Sequence, residues 1–464
     1  MSSSTDLPAS SESIESSSLP SMSEHSAHND LLPWLSSRKR ELSKAEDFSL
    51  VYIPLESSSH WAFHDGAIRH RSGRFFSVIG VRAEGQAGTV VEQALMDQRE
   101  IGTLALYLRQ RHGRAEVLVQ FKAEPGNVGL FQLAPSYQAT ASNTDRVHGG
   151  ESPPFGDWLT AHGAFASDTL QSEQGTRFFG KRNRNVSLLI QGEGEASSPY
   201  HAWVPIRQLC GLLSENHLIN TDLRSTLICA NWEMLANGSP FAGQGFAQSL
   251  RASYELADHQ ALTPLDEVLR QLSSHQEWKD APSIVSLSAL FGWGMDEEGP
   301  VPLNGSGRPF RFRHIQVQSA SREVRAWDQP IVQSGGAGQV VLPVAMAAGV
   351  PHFLFKQVAE LGFEGRVELT SAVLEEPGNP VKSDLFGQSL IANGRTLVSC
   401  RQSEEGGRFL FDENEYALVD VGQAFTPPAG YHWLSVAQIY TLLQRGCIFT
   451  NEARSVLSLL LKWL

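Results

Sequence analysis

The chain has 464 residues, 41% hydrophobic and 19% charged, with a formal net charge of −13. That length exceeds what one core sustains, so two domains are expected, and the acidic balance argues against a nucleic-acid surface, which is normally basic. Cys210, Cys229, Cys400 and Cys447 lack metal-ligand or CxxC spacing, and no apolar run reaches the roughly 20 residues of a membrane span. A reduced, cytoplasmic setting without membrane or nucleic-acid partners is therefore the expectation.

In chain order, residues 1–29 are rich in Ser, with Pro and Glu and no apolar stretch, which predicts a disordered tail. LLPWLSSRKREL has the spacing of an amphipathic helix, and GRFFSVIGV, LALYL, VLVQF and FQLAP alternate as strands do. Helices are expected over 204–213 and 221–235. The same order then returns. LDEVLRQLSS predicts a helix, and GRPFRFRHIQV, VVLPV, FLFKQ and VELTS predict strands. Helices over 434–445 and 451–464 close the chain, and the terminal SVLSLLLKWL reads as core. Strands followed by segregated helices predict an α+β class, with one unit over 30–250 and another over 251–464.

The repetition extends to single residues. Glu116–Gln138 aligns without a gap on His352–Leu374, setting Glu124 on Glu360, Gly126 on Gly362, Gly129 on Gly365 and Leu133 on Leu369. SEQGTRF (172–178) matches SEEGGRF (403–409), and WVPIRQLCGLL matches WLSVAQIYTLL. The period far exceeds the roughly 50 residues of a solenoid repeat. Two related domains are the reading, and each polar residue can be compared with its counterpart.

Trp61 and Trp293 are one such pair. Each is either a packed ring or an indole free to stack on a nucleobase. Lys122 and Asn127 flank Glu124 in a turn, but their counterparts are Val358 and Phe363. The segment 136–150, expected as a loop, carries Asn143, Thr144, Asp145, Arg146, Val147, His148, Gly149 and Gly150. An Arg fork suits phosphate and a His suits proton transfer, although such a segment can also be a solvated loop. Its counterpart offers only Lys382, beside Ser383. Arg177 and Asn183 follow Ser172 in RFFGKRNRN, and Arg408, Asn414, Glu415 and Tyr416 occupy the matching RFLFDENEY. Arg and Asn retained by both halves favour a structural or ligand role. Arg224 and Arg454, both mid-helix, read as structural ion-pair partners. No GxGxxG, P-loop, zinc or GxSxG pattern is present.

The string QFKAEPGNVGLFQLAPSYQATASNTDRVHGG, with LQSEQGTRFFGKRNRN, REVRAWDQP and SEEGGRF, resembles the NDP-hexose 2,3-dehydratases across residues 30–464. Two departures are local: Val91-Glu-Gln-Ala94 stands where the second half has Trp327-Asp-Gln-Pro330, and Thr144 stands where the family has an aromatic. The resemblance implies two tandem homologous Nudix-like domains from an internal duplication, each with a dTDP-sugar pocket, in a homodimer. The Glu-rich helix of Nudix hydrolases is absent from the sequence, which speaks against pyrophosphate cleavage. The implied reaction is dehydration of dTDP-4-dehydro-6-deoxy-D-glucose without a metal or redox cofactor, its labile product passing to an NAD(P)H-dependent 3-ketoreductase.

On that footing Trp61 and Trp293 would stack on thymine, and Arg146 with Gly149 and Gly150 would hold diphosphate. His148 would be the acid or base, and Lys122, with Glu124, the electrophile near O4. Asn143, Thr144, Asp145, Val147, Ser172, Arg177 and Asn183 would complete the first set of contacts. Lys382, Ser383, Arg408, Asn414, Glu415 and Tyr416 would line the second pocket. A 3,4-ketoisomerase or epimerase, or a non-catalytic dTDP-sugar binder, are the alternatives.

Overall fold

The computed structural model describes residues 31–140, 153–161, 165–192, 194–304, 306–377 and 385–464. The expected tail, 1–29, lies outside them. The opening helix is found at Leu31–Ala45. The first half then runs through β1 (Phe48–Tyr52), β2 (Trp61–His64), β3 (Ala67–His70), β4 (Ser77–Glu84), β5 (Val90–Asp97), β6 (Gly102–Arg111) and β7 (Arg114–Ala123). It continues through β8 (Phe131–Ala134), β9 (Tyr137–Ala139), β10 (Phe165–Ser172), β11 (Phe178–Phe179), β12 (Arg182–Leu189) and β13 (His201–Pro205). The second half begins with helix Leu265–Ser274, then β14 (Ser283–Val285), β15 (Trp293–Met295), β16 (Pro300–Pro302), β17 (Phe310–Ser319) and β18 (Ala326–Ser334). After these come β19 (Ala337–Ala347), β20 (Val350–Val358), β21 (Glu368–Ser371), β22 (Val373–Glu375), β23 (Arg395–Ser403), β24 (Glu413–Gln423) and β25 (Tyr431–Leu434). The class is mixed α+β.

Two seven-stranded sheets share one plan. The first runs β10-β12-β6-β7-β13, with β8 on β7 and β9 on β6; the second runs β23-β24-β19-β20-β25, with β21 on β20 and β22 on β19. Each contains one parallel contact at the same place, β12 with β6 and β24 with β19. The β6–β7 hairpin turns through His112 and Gly113 (φ 49° and 74°), and β19–β20 through Ala348 and Gly349 (φ 50° and 82°). Two successive residues at positive φ are what a two-residue hairpin with native strand twist requires. Buried side chains from both sheets, including Leu106, Val119, Leu342 and Phe353, belong to one continuous core with the terminal helices.

The leading strands are exchanged between halves. β1 pairs with β17, and β14 pairs with β4. The turn after each long hairpin also docks on the other half. Gly126 N donates to Gly406 O at 2.8 Å, and Gly362 N donates to Gly175 O at 2.8 Å. A Cβ at Gly126 would stand 1.6 Å from Phe409 O, and one at Gly362 would stand 1.7 Å from Phe178 O. Only glycine permits that backbone approach, which explains why both halves carry it.

Two expectations change. The helix expected over 221–235 is broken into Thr221–Cys229 and Trp232–Ala236, because the Asn231 side chain accepts Met234 N and caps a new helix. Arg224 and Arg454, both fully buried, form no ion pair among the described residues. Arg224 donates to Ile219 O, Leu213 O and Ser458 Oγ, and Arg454 to Ser225 Oγ, Phe449 O and Ser172 O. They tie the helices Thr221–Cys229 and Asn451–Leu457 together across the halves.

Candidate active site

The exchange of strands and turns assembles a cavity of about 480 Å³ whose wall comes from both halves. The first half supplies Lys122 and Glu124 at the end of β7, Gln98, and Trp61, His60 and His70 from the β2–β3 region. The second half supplies Arg322, Trp327 and Asp328 around β18, and Glu405 and Arg408 from the segment docked on the Gly126 turn.

Strand β7 ends by turning Lys122 and Glu124 inward, both nearly buried, with Lys122 Nζ 2.9 Å from Glu124 Oε1. Arg322 Nη1 lies 3.9 Å from the same oxygen and donates to Ala123 O. Burial acts to raise the Glu124 pKa, but the cations of Lys122 and Arg322 outweigh it and hold the carboxyl below its usual range. Oε2 of Glu124 has no partner among the described residues. Arg408 lies over the Phe76 ring at 4.4 Å and donates to Gln98 Oε1 at 3.3 Å, while its buried Nε has no partner among the described residues. Burial lowers its pKa against the pull of Glu405 and Glu124. The cavity thus holds two lysines, Lys122 and Lys181, two guanidiniums and carboxylates in close array, a setting for an anionic ligand and for charge developing on oxygen.

The structure brings Lys122, Glu124, Trp61, Asn183 and Arg408 to this one cavity. Arg408 had been expected in the second-half pocket, and the crossing of the SEEGGRF segment moves it. Arg177 crosses the other way. It lies over the Phe310 ring at 4.0 Å and pairs with Glu376 at 3.2 Å. Ser172 donates to Glu368, and Asn414 and Tyr416 donate to Glu404, all among buried groups away from the cavity wall. Glu415 alternates to the exposed side of β24. Asn143, Thr144, Asp145, Arg146, Val147, His148, Gly149, Gly150, Lys382 and Ser383 lie outside the described residues.

The stacking role expected of Trp61 and Trp293 is corrected. Trp61 is 3% exposed, packs on Phe76 at 4.8 Å and donates Nε1 to Asp328 O; Trp293 is 5% exposed against Phe310. Both are packed rings, because the β2 and β15 hairpins turn them into the core beneath the exchanged sheets.

The profile of the family described as NDP-hexose 2,3-dehydratase matches residues 28–230 and 264–460. The chain belongs to that family. It is thus an enzyme, a hydro-lyase. A dTDP-4-dehydro-6-deoxy-alpha-D-glucopyranose 2,3-dehydratase from Streptomyces violaceoruber is 32% identical over 431 residues, covering 90% of this chain and 94% of its own. A protein of the same name from Saccharopolyspora spinosa is 29% identical over 466 residues, covering 93% and 92%. A solved ADP compounds hydrolase aligns with 33% of this chain and 84% of its own at 12% identity and a TM-score of 0.20, too distant to argue from.

For this dehydratase the sequence reading passed over His60, Asp328, Arg322, Trp327 and Glu405 as site residues. A signal was present. Asp328 and Glu92 hold the same register in the two halves, and each accepts a hydrogen bond from the segment leading to its tryptophan, from Ser58 or from Phe291 N. Trp327, half-buried on the cavity wall, is the aromatic less enclosed than Trp61.

Proposed function

We propose that this enzyme dehydrates dTDP-4-dehydro-6-deoxy-D-glucose, removing the C3 proton and eliminating the C2 hydroxyl to give a 3,4-didehydro-2,6-dideoxy sugar nucleotide. The observation that carries the reading is the Lys122–Glu124 pair, buried beside two guanidiniums in a cavity that both halves build. The names of the relatives agree with it. The C4 ketone acidifies the C3 proton, and negative charge gathers on O4 as that proton leaves. Lys122 meets that charge, and Glu124 holds its ammonium in place. One preorganised donor of this kind is worth about 10²–10³ in rate.

Arg408 and Arg322 bind the diphosphate, and Trp327 offers the nucleobase its flat face in place of Trp61. His148, expected from the sequence as the acid or base, lies outside the described residues and takes no step in this reading. The doubled profile match and the two sheets of one plan support an internal duplication, 30–250 and 251–464, and in this reading the units are Nudix-like. The homodimer, the cytoplasmic setting and the downstream 3-ketoreductase complete the reading.

The test is product mass. Enzyme, substrate and a 3-ketoreductase with NAD(P)H should give a product that has lost one water and gained two hydrogens, one oxygen fewer than the substrate. A product of unchanged carbon skeleton and oxygen count would favour a ketoisomerase or epimerase, and binding without turnover a sugar-nucleotide carrier.

A further inference from the structure

The proposed elimination needs a base at C3, and the cavity wall holds one that neither the sequence motifs nor the relatives assign. His60 sits just before β2 with its side chain 56% exposed, and its Nδ1 is 2.6 Å from Asp328 Oδ1. Asp328 comes from the other half of the chain and its side chain is only 7% exposed. Its second oxygen accepts Ser58 Oγ and, at 2.9 Å, Nε2 of the fully buried His314. Burial acts to raise the Asp328 pKa, but the hydrogen bonds from His314, Ser58 and His60 outweigh it and keep the carboxyl well below its usual range. A fixed carboxylate on Nδ1 sets the proton there and leaves the Nε2 lone pair to the cavity. No described residue bonds that Nε2. The neighbouring imidazole of His70 stacks at 5.8 Å, and burial first and then the nearby His60 lower its pKa.

The geometry points to His60 as the base for C3, positioned by Asp328. The inference rests on the dehydratase reading above. The C3–H bond breaks, its proton goes to Nε2, and its electron pair moves into C3–C4 as charge settles on O4. The pair then forms C2=C3 while the C2–O bond breaks. In a ring with its substituents equatorial, the C3–H is axial and gauche to the C2 hydroxyl, so the same imidazolium reaches the leaving oxygen. It returns the proton, water departs, and His60 ends as it began. Asp328 stabilises the transient imidazolium, as a buried carboxylate does in the triad arrangement.

The full-length His60→Gln and Asp328→Asn proteins test this with the substrate and the coupled reductase. His60→Gln should lower kcat by about 10²–10⁴ while KM stays within about threefold. Asp328→Asn should lower kcat and displace the acid limb of the kcat–pH profile, which a merely structural loss would leave in place. The titratable groups against His60 are Asp328 and His70, with His314 on the far oxygen of Asp328, so His70→Asn serves to show that the limb does not belong to the stacked ring. A His60→Gln enzyme with kcat within about threefold of the parent overturns the base assignment, and an unmoved pH profile in Asp328→Asn overturns the positioning role. Should Asp328→Asn not fold, the half-exposed His60→Gln decides alone. Failure of the parent enzyme itself to lose water would instead sink the dehydratase reading, so the two failures are distinct.

Discussion

The two halves place a glutamate at the same turn and treat it oppositely. Glu124 has Lys122 and Arg322 beside it, and these outweigh burial to hold it below the carboxylate range. Glu360 has Val358 where Lys122 stands, and burial with the charges of Glu452, Glu376 and Glu368 pushes it well above that range. Both turns carry a glycine two residues on that docks on the opposite half. What differs is one cation and the sign of the surrounding field. A turn that serves as a scaffold in both halves becomes a charged centre in only one.

Lys122→Met should therefore give the larger effect of the two turns, a fall in kcat of about 10²–10³ with the substrate still bound. Arg322 remains beside Glu124, so the variant keeps its fold, which circular dichroism would check. The reciprocal change, Val358→Lys, supplies Glu360 with a cation and should leave turnover within about twofold. Equal losses in the two variants would break the asymmetry and move the chemistry out of the first cavity.

The glycines test what the halves have in common. Gly126→Ala and Gly362→Ala each drive a Cβ into a backbone carbonyl of the opposite half. Carbonyls cannot step aside as a side chain can, so each should cost about 3 kcal/mol or more in urea unfolding, and the two costs should match. A clear inequality would mean that one crossing carries more of the contact between halves than the other.

Much of this was legible in the sequence, and the missing part has one physical origin. The strands in VLVQF, FLFKQ and their neighbours declare themselves by alternation, and the repeat exposes Glu124, Gly126 and Arg408 as positions worth attention. Periodicity is a property of one segment, however, and it does not say which sheet a segment joins. β1 and β14 were not expected as strands at all, and each pairs across. The same crossing sets Arg408 beside Lys122 and Arg177 beside Glu376, and it puts Asp328 against His60. Trp61 and Trp293 were misread for a related reason: a flat ring looks the same in sequence whether it faces a ligand or a core.

Glu173 and Glu404 are where the halves agree again. Each is buried, and each has its pKa pushed up to about 7, first by burial. A carboxyl that holds its proton more tightly when folded stabilises the fold fully below the unfolded value of 4.5, and that stability is lost as pH rises through about 7. Glu404→Gln removes the titration. Its unfolding free energy relative to the parent should climb between pH 5 and pH 8, by an amount on the order of 1–3 kcal/mol. His201, lowered to about 4 mainly by burial, works in the opposite direction, losing stability as pH falls from 6.5 towards 4, and it cancels in the comparison because both proteins carry it. Glu173→Gln should behave alike.

The smallest effect separates the two tryptophans. Trp61 Nε1 donates to Asp328 O at 2.8 Å, whereas Trp293 Nε1 is buried without a partner among the described residues. Replacing either with Phe removes ring volume of the same size from a packed site. Only Trp61→Phe also strands a carbonyl, the one belonging to the aspartate that grips His60, so it should cost about 1 kcal/mol more in unfolding than Trp293→Phe. Trp293→Phe discards an unpaired donor and offsets part of its lost packing. Because Asp328 O and the Asp328 carboxylate belong to one residue, Trp61→Phe should also reduce kcat, by a few-fold, while Trp293→Phe leaves it alone. Equal behaviour in both assays would show that the hydrogen bond holds neither the fold nor Asp328.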